Sequence, residues 1–466
     1  MSSPHDDAAP AKSTRFFATW NSGELTLLIG AVALITFSAF EAVATTTIMP
    51  NVVADLRAES WFSVASGAAF TAQLIAVVIA GPMSDWRGPR PVLLSGVGAF
   101  AVGLLACAWA PHITVFIVGR LIQGLGAGLT IVPLYVLIGA LAEKKHHPTF
   151  FAAFSLAWVF PSLFGPALAG WVTLRFGWRP LFGVVPFAAL VALIPLLILL
   201  SAMPPRSDTP APQLRFLTSM AVLAGSGVFF VQLAGALTGW KLVVLSLLGV
   251  ALCVAVLPRL LPPGLFTFAP GIPALIATRG LNLAALTGAV AFLPLVLQRV
   301  HGWDAAQASL AVTLSSVGWS VGATVQARVS RPVTRFRLPF IGATLSAACL
   351  VVVSFLILPS FPIWVALVAS AFMGGGTGLL HSTASVIALD MTDVREHGKV
   401  SSWLQIADTA ASAMQLAVTS IVLGLWILLP GMSGTPNAYI PASVLIVFSA
   451  ILAVFSARNV QVPPQE

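Results

Sequence analysis

An all-α polytopic membrane protein is the fold class this sequence predicts, and three observations predict it. Charged residues make up 8% of the chain and hydrophobic ones 58%, whereas soluble domains are roughly a quarter charged. Apolar runs of membrane-crossing length, about 17–25 residues or somewhat more, recur at fourteen places along the 466 residues. Basic residues sort to alternate loops, as the positive-inside bias requires. The net charge of +8 therefore reads as loop charge and gives no sign of nucleic-acid binding.

Residues 1–24 are polar and read as a tail. The first apolar run is long enough to span, so it predicts a retained helix and not a cleaved leader. Six spans follow from it, near 25–49, 61–81, 90–110, 113–141, 150–173 and 181–201. They make a first bundle over 25–203. A proline-rich polar linker, Pro204 to Pro212, then leads to two further spans near 216–236 and 241–258, within a region 204–275. Gly235 to Trp240 is the thin separator between this pair. Six more spans, near 276–298, 304–327, 337–358, 361–389, 401–428 and 439–457, form a second bundle over 276–458, and 459–466 is a tail. The order is thus six, two, six.

Charge placement supports the even count. With the N-terminus inside, seventeen of the 23 Lys and Arg fall on the inner side. Among them are Arg87, Arg90, Lys144, Lys145, Arg279 and the cluster Arg328, Arg331, Arg335 and Arg337. Five fall outside, and Arg120 lies within a span. Both termini are then cytoplasmic, in a cell membrane. The loop 328–337 stands where a repeat of the 81–94 turn would stand, which indicates two related bundles.

The turn itself reads Gly81-Pro-Met-Ser-Asp-Trp-Arg-Gly-Pro-Arg-Pro. Pro82, Gly88, Pro89 and Pro91 predict helix breaks on both sides of a loop of about eight residues. Gly81, Asp85, Gly88 and Arg90 match the first, fifth, eighth and tenth positions of the G-x-L-A-D-R-x-G-R-K loop of the major facilitator superfamily. Arg87 adds a third charge, while Trp86 and Pro89 replace two usual basic residues. Phe40-Glu-Ala-Val-Ala-Thr-Thr-Thr-Ile-Met-Pro50 resembles the first-helix motif of the fourteen-span drug:proton antiporters in that superfamily, with Glu41 on its acid. Arg120-Leu-Ile-Gln-Gly-Leu-Gly-Ala-Gly128 resembles the fourth-helix motif. Pro161-Ser-Leu-Phe-Gly-Pro-Ala-Leu-Ala-Gly170 resembles the fifth-helix motif of exporters: Gly165, Pro166 and Gly170 match, while Pro161 and Ala169 depart from it.

The resemblance implies two six-helix bundles plus two inserted helices. It also implies export of a small lipophilic or cationic compound by alternating access, driven by a proton gradient. It implies that Asp85 docks on the start of span 13 and locks the outward-facing state. An exporter of lipid or envelope components, or a non-transporting membrane sensor, is the alternative.

The residues themselves limit the chemistry. An acid inside a span is costly as a charge and is a functional candidate by default. Glu41 is such an acid: a proton or substrate site, or a structural partner of Arg120. Arg120 stays charged in apolar surroundings, and Glu41 or a carbonyl of span 1 is its candidate partner. It serves proton coupling or simple helix pinning. Asp408, in a polar stripe with Gln405, Thr409 and Ser412, is a second protonatable site or a structural acid capped by His381. Gln123, Gln405 and His381 are expected along a substrate cavity. Ser401 or Ser402 is a candidate N-cap of span 13. Gly124 and Gly128 allow close helix approach, and the small residues of span 5 suit packing on the other bundle.

Other features are plainer. His146 and His147 read as part of a solvated loop. Trp61, Trp109, Trp178, Trp240 and Trp303 read as interface anchors. Cys107, Cys253 and Cys349 read as small core residues. Gly374 to Gly378 is a packing segment. No G-x-x-x-x-G-K-[ST] loop is present, so transport powered by ATP on this chain is not expected. No cofactor, metal or catalytic constellation is expected. The expected partners are a small-molecule substrate, protons and the bilayer, with a monomer as the working unit.

Overall fold

The structure, a computed structural model, describes residues 20–58, 61–201, 214–234, 237, 239–303, 305–329, 332–427 and 435–460. Seven helices make the first bundle: α1 (Ser22–Asp55), α2 (Phe62–Arg87), α3 (Pro89–Ala108), α4 (Ile113–Leu141), α5 (His147–Leu156), α6 (Val159–Phe176) and α7 (Arg179–Ser201). Helices α8 (Leu214–Ala234) and α9 (Trp240–Leu260) form a hairpin between the bundles. The second bundle holds α10 (Ile272–His301), α11 (Ala305–Ala327), α12 (Pro332–Ser354), α13 (Ile363–Asp390), α14 (His397–Ile427) and α15 (Ile440–Ala457).

Twelve stretches among the described residues are long and apolar enough to cross a membrane. Helices α11 and α14 cover two of the fourteen expected spans and run for 23 and 31 residues. They are not among the twelve. Both carry rows of Ser, Thr and Gln along an otherwise apolar helix.

The two bundles repeat one packing plan. Helix α2 packs on α4 as α11 packs on α13, and α3 on α4 as α12 on α13. Likewise α1 meets α6 and α7 where α10 meets α14 and α15. This is the geometry of an internal repeat, although the second copy of the 81–94 turn has lost its acid.

Glycine sets how closely these helices lie. A Cβ on Gly124 would sit 2.0 Å from the Ala69 carbonyl oxygen of α2, and one on Gly128 2.6 Å from Ala76 Cβ. In the second bundle a Cβ on Gly318 would lie 1.8 Å from the Ala371 oxygen, and one on Gly374 1.9 Å from the Ser315 oxygen. These neighbours are helix backbone or an alanine Cβ and cannot swing away. Without water to squeeze out between helices in lipid, such close contact is the main source of their association. Gly318→Ala is therefore expected to force α11 and α13 apart and to cost about 1–3 kcal/mol by overpacking. A lowered melting temperature of the detergent-solubilised protein checks it.

Several expectations need correction. The eight-residue loop at 81–94 is a one-residue joint. Pro82 lies inside α2, and only Gly88, at φ 83°, is non-helical before Pro89 opens α3. Helix α2 continues through Pro82 to Arg87 despite the missing N–H, and Pro89 needs no N–H at a first position. Span 5 is two helices, broken at Ala157 and Trp158. Pro161 accounts for the break, because it has no N–H to give the carbonyl four residues back, that of Ala157.

Burial corrects other readings. His146 and His147 are 5% and 1% exposed, so they are not in a solvated loop. Trp178 is 4% exposed and no interface anchor. Its indole donates to Asp55 Oδ2 at 3.1 Å, beside an Arg179 bond of 2.8 Å. Arg179, with the Trp178 indole, holds the Asp55 carboxyl below the usual aspartate range. The pair ties the end of α1 to α7. Ser401 and Ser402 lie within α14, whose first residue is His397, so neither is its N-cap. Arg279 is not a loop cation: it lies in α10 and is fully buried.

At the start of α1, Asn21 and Glu24 form a capping box. Glu24 also accepts from the Glu143 N–H at 2.8 Å and lies 2.9 Å from His146 Nδ1. Trp20 stacks on that imidazole. One buried carboxylate thus anchors the chain entry to the α4–α5 connection, which explains why His146 is enclosed.

Candidate functional site

Glu41 lies on α1 and is 5% exposed. One helical turn on, at i+4, Thr45 donates to its Oε1 at 2.7 Å. From α4, Arg120 Nη1 donates to the same oxygen at 2.6 Å, and Gln123 Nε2 donates to Oε2 at 2.7 Å. Arg120 also donates to Gln123 Oε1 at 2.6 Å. Arg120 and Gln123 share a face because they are three residues apart on a helix. The structure thus gives Arg120 the first of the two partners the sequence left open. Its Nε is buried with no hydrogen bond, so the cluster holds a cation with one unmet donor.

A second ionic cluster stands in the other bundle. Arg279 on α10 donates from Nε to Asp408 Oδ1 and Oδ2 at 3.1 and 3.0 Å, and from Nη2 to Oδ2 at 2.6 Å. Arg279 Nη1 also donates to Ser385 Oγ on α13. His381 Nε2 lies 3.6 Å from Asp408 Oδ2, and its ring sits 5.1 Å from that of Trp319. Arg279 is therefore the principal partner of Asp408, and His381 stands at the edge.

Both clusters border one cavity of about 1560 Å³ between the bundles. Glu41, Arg120, Gln123, His381, Gln405 and Asp408 all line it. The rest of its wall is mostly apolar, with Phe70, Phe100, Phe154, Trp158 and Trp319 supplying aromatic surface. A large, mainly apolar hollow with a few polar groups suits an organic molecule. Among the described residues no group of His, Cys, Asp and Glu could hold a metal ion.

The bundles are latched at one end of this cavity. Asp85 Oδ1 and Oδ2 accept from the backbone N–H of Gly398 and Lys399, both at 3.1 Å. These are free first-turn amides of α14, where an anion is favoured. Gly81 makes the approach possible, since a Cβ there would lie 2.5 Å from the Gly398 oxygen. Ser402 donates to the Val77 carbonyl, Gln326 to that of Pro148 at 2.9 Å, and Trp319 Nε1 to Ser155 Oγ at 3.1 Å. His147 faces Asp390 at 3.5 Å, and Arg335 faces the same acid at 3.5 Å. Arg87 and Arg90 are exposed, and Arg87 stacks over Trp86 at 4.4 Å.

Hydrogen bonds to a charged acceptor contribute about 1.5–3 kcal/mol each. Asp85→Asn is thus expected to favour separation at the latch and to slow any cycle that must reclose it, by several-fold. Accessibility of an engineered cysteine at position 77 to a thiol reagent checks this: labelling should rise in the variant.

The export-motif helix is only partly brought to another element. Gly165 meets Val43 of α1, where a Cβ would lie 3.2 Å from Val43 Cγ1. Nothing lies within 4 Å of a Cβ on Gly170. Close packing on the other bundle is thus not seen at either glycine. Pro161 is buried, and the side chain of Pro166 lies outside the described residues.

The family model described as Major Facilitator Superfamily matches residues 27–416. The chain belongs to that superfamily. This major facilitator chain is 25% identical over 424 residues to the probable multidrug-efflux transporter Rv1634 of Mycobacterium tuberculosis, covering 86% of this chain and 87% of that one. It is 25% identical over 445 residues to the multidrug efflux pump SdrM of Staphylococcus aureus, covering 92% and 95%. Against the uncharacterised MFS-type transporter Rv1877 of M. tuberculosis, identity is 24% over 375 residues; 76% of this chain matches 53% of that one, so the chain spans about half the length of that relative. Two solved structures share the fold. The human organic anion transporter MFSD10 superposes with a TM-score of 0.67 at 15% identity, over 93% of this chain and 100% of that one. A bacterial homologue of the iron transporter ferroportin in an outward-facing state superposes with a TM-score of 0.68 at 13% identity, over 94% and 99%. The chain is thus a multi-pass membrane protein of a transporter family and not an enzyme.

Proposed function

We propose that the protein is a proton-coupled exporter of small lipophilic or cationic compounds, working by alternating access with fourteen membrane crossings. The observation that carries this reading is Glu41, an acid inside a span that faces the central cavity while bound to Arg120, Gln123 and Thr45. A proton arriving on Glu41 removes the negative partner of Arg120. The freed guanidinium then repels a cationic substrate and weakens the tie between α1 and α4. Loss of the proton restores the pair and the affinity for a cation. Asp408 is held by three bonds from the fully buried Arg279; in this reading that pair is a pin between α10 and α14, and Glu41 carries the proton.

The names of the relatives Rv1634 and SdrM support efflux of drugs, and the apolar cavity wall supports lipophilic cargo. In this reading the Asp85 latch lies on the cytoplasmic side and the cavity faces outward. The proton gradient is the energy source, the membrane is that of the cell, and a monomer suffices. Accumulation of ethidium in inverted vesicles, with and without an imposed pH gradient, tests the proposal. Ethidium should enter only when the vesicle interior is acid. Equal entry without a gradient overturns proton coupling.

A further inference from the structure

The hairpin α8–α9 has a second face that the transport cycle above does not use. Its outer face carries exposed apolar side chains such as Val222, Val244, Leu248 and Val254, as lipid contact requires. Its inner face borders the central cavity. From α8 that face shows Val228, Val231 and Gln232, and from α9 Val243, Ser246 and Val250. The spacing of three or four residues on each helix makes this one continuous stripe.

The hairpin packs chiefly on the first bundle, through α8 on α2, and touches the second bundle only slightly, at α14. Gly225 packs on α2, where a Cβ would lie 2.5 Å from Ile75 Cγ1 and 3.4 Å from the Thr71 carbonyl oxygen. Gly227 and Gly249 interlock the two hairpin helices: a Cβ on Gly249 would lie 2.5 Å from the Gly227 oxygen. Cys253 Sγ lies 3.7 Å from the Ala224 oxygen and adds a weak tie. Among the described residues no hydrogen bond or ion pair runs from α8 or α9 to the second bundle.

Gln232 is the one long polar side chain on the inner stripe. Thr71 Oγ1 donates to its Oε1 at 3.0 Å. The amide lies flat over Gly67, where a Cβ would come within 2.3 Å of Gln232 Cδ. Two residues of α2 therefore fix the amide. One supplies a donor for its oxygen, and the other supplies space by having no side chain. This leaves Nε2 as a donor with no partner among the described residues, in a cavity whose wall is mainly apolar. A donor fixed in such surroundings is costly to leave unmatched and rewards an acceptor.

We infer that α8 and α9 are a fixed wall of the substrate cavity carried by the first bundle, and that Gln232 is a specificity-determining residue. Its Nε2 takes a hydrogen-bond acceptor of the bound compound, a carbonyl or ether oxygen. The inference rests on the transporter reading, but its first test needs no gradient and no cycle. A hydrogen bond of this kind contributes about 1 kcal/mol, which is roughly fivefold in affinity.

Two lipophilic cations serve as probes for binding to the purified full chain in detergent: rhodamine 6G, which has an ester carbonyl and a ring ether oxygen, and tetraphenylphosphonium, which has no acceptor. Gln232→Ala should weaken rhodamine 6G about fivefold and leave tetraphenylphosphonium within twofold. Gly67→Ala keeps the amide but pushes it off its seat, so it should give the same split. Gln232→Ala acting equally on both probes, or on neither, overturns the assignment. The attachment is tested apart. Ile75→Cys with Gly225→Cys bridges α8 to α2 by a disulfide, detected by mass spectrometry. Tetraphenylphosphonium transport should survive the bridge, and its arrest would overturn a hairpin that moves with the first bundle. Failure of proton coupling at Glu41 would leave the binding result untouched, so the two readings fail separately.

Discussion

Glu41→Gln is expected to abolish uphill export driven by a pH gradient while sparing the fold. Glutamine has nearly the shape of the acid and is its permanently uncharged counterpart. Its carbonyl oxygen can still accept from Arg120 and Thr45, the two donors that now reach Oε1. Its amide would oppose the Gln123 Nε2 donor, and if Gln123 turns its own amide it gives up the bond it accepts from Arg120, so the cluster loses one hydrogen bond. What cannot be replaced is the proton. The expected result is at least about a tenfold fall in pH-driven ethidium accumulation, since an intramembrane acid of this kind carries function and not stability by default. Dye exchange without a gradient should persist. A variant that pumps as well as the parent would remove Glu41 from the mechanism.

The second large effect is on stability. Asp408→Asn leaves Arg279, which is fully buried, with no counter-charge. Breaking such a pair from one side costs about 3–5 kcal/mol, whereas replacing both partners with apolar residues is often neutral. Asp408→Asn should therefore lower the melting temperature in detergent sharply. Arg279→Met combined with Asp408→Leu should recover most of the loss. If the double variant also pumps with a pH gradient, the pair is a pin alone. If it folds and does not pump, Asp408 shares the proton with Glu41 and the division of roles made above is wrong.

How far the sequence could be read depends on the physics behind each feature. Helices and their order follow from apolar runs, because a bilayer leaves an isolated strand nowhere to satisfy its backbone. A charge in the middle of such a run is equally legible: Arg120 could not go unpaired, and Glu41 was the acid at matching depth. Arg279 was not legible. It stands six residues beyond Pro273, at the head of an apolar run, where a loop cation and a buried one look alike. The two histidines at 146 and 147 misled for the same reason, since lysine neighbours say nothing of what packs above them. The breaks around 81–94 were misplaced because one proline removes a helical hydrogen bond without necessarily ending the helix: α2 runs through Pro82 to Arg87. The position of the α8–α9 hairpin is tertiary and leaves no mark on composition. Its glycines at 225, 227 and 249 were the available trace, and they gained meaning only against Ile75 and Val231.

The latch also sets an energy scale. Two charge-assisted bonds at Asp85, at about 1.5–3 kcal/mol apiece, total about 3–6 kcal/mol. An elementary charge falling through a membrane potential releases about 2.3 kcal/mol per 100 mV. In the cycle proposed above, one proton crossing about 100 mV therefore carries work of the same order as this clasp. On this scale the clasp stays shut against thermal agitation, and the proposed proton coupling calls for no larger energy source.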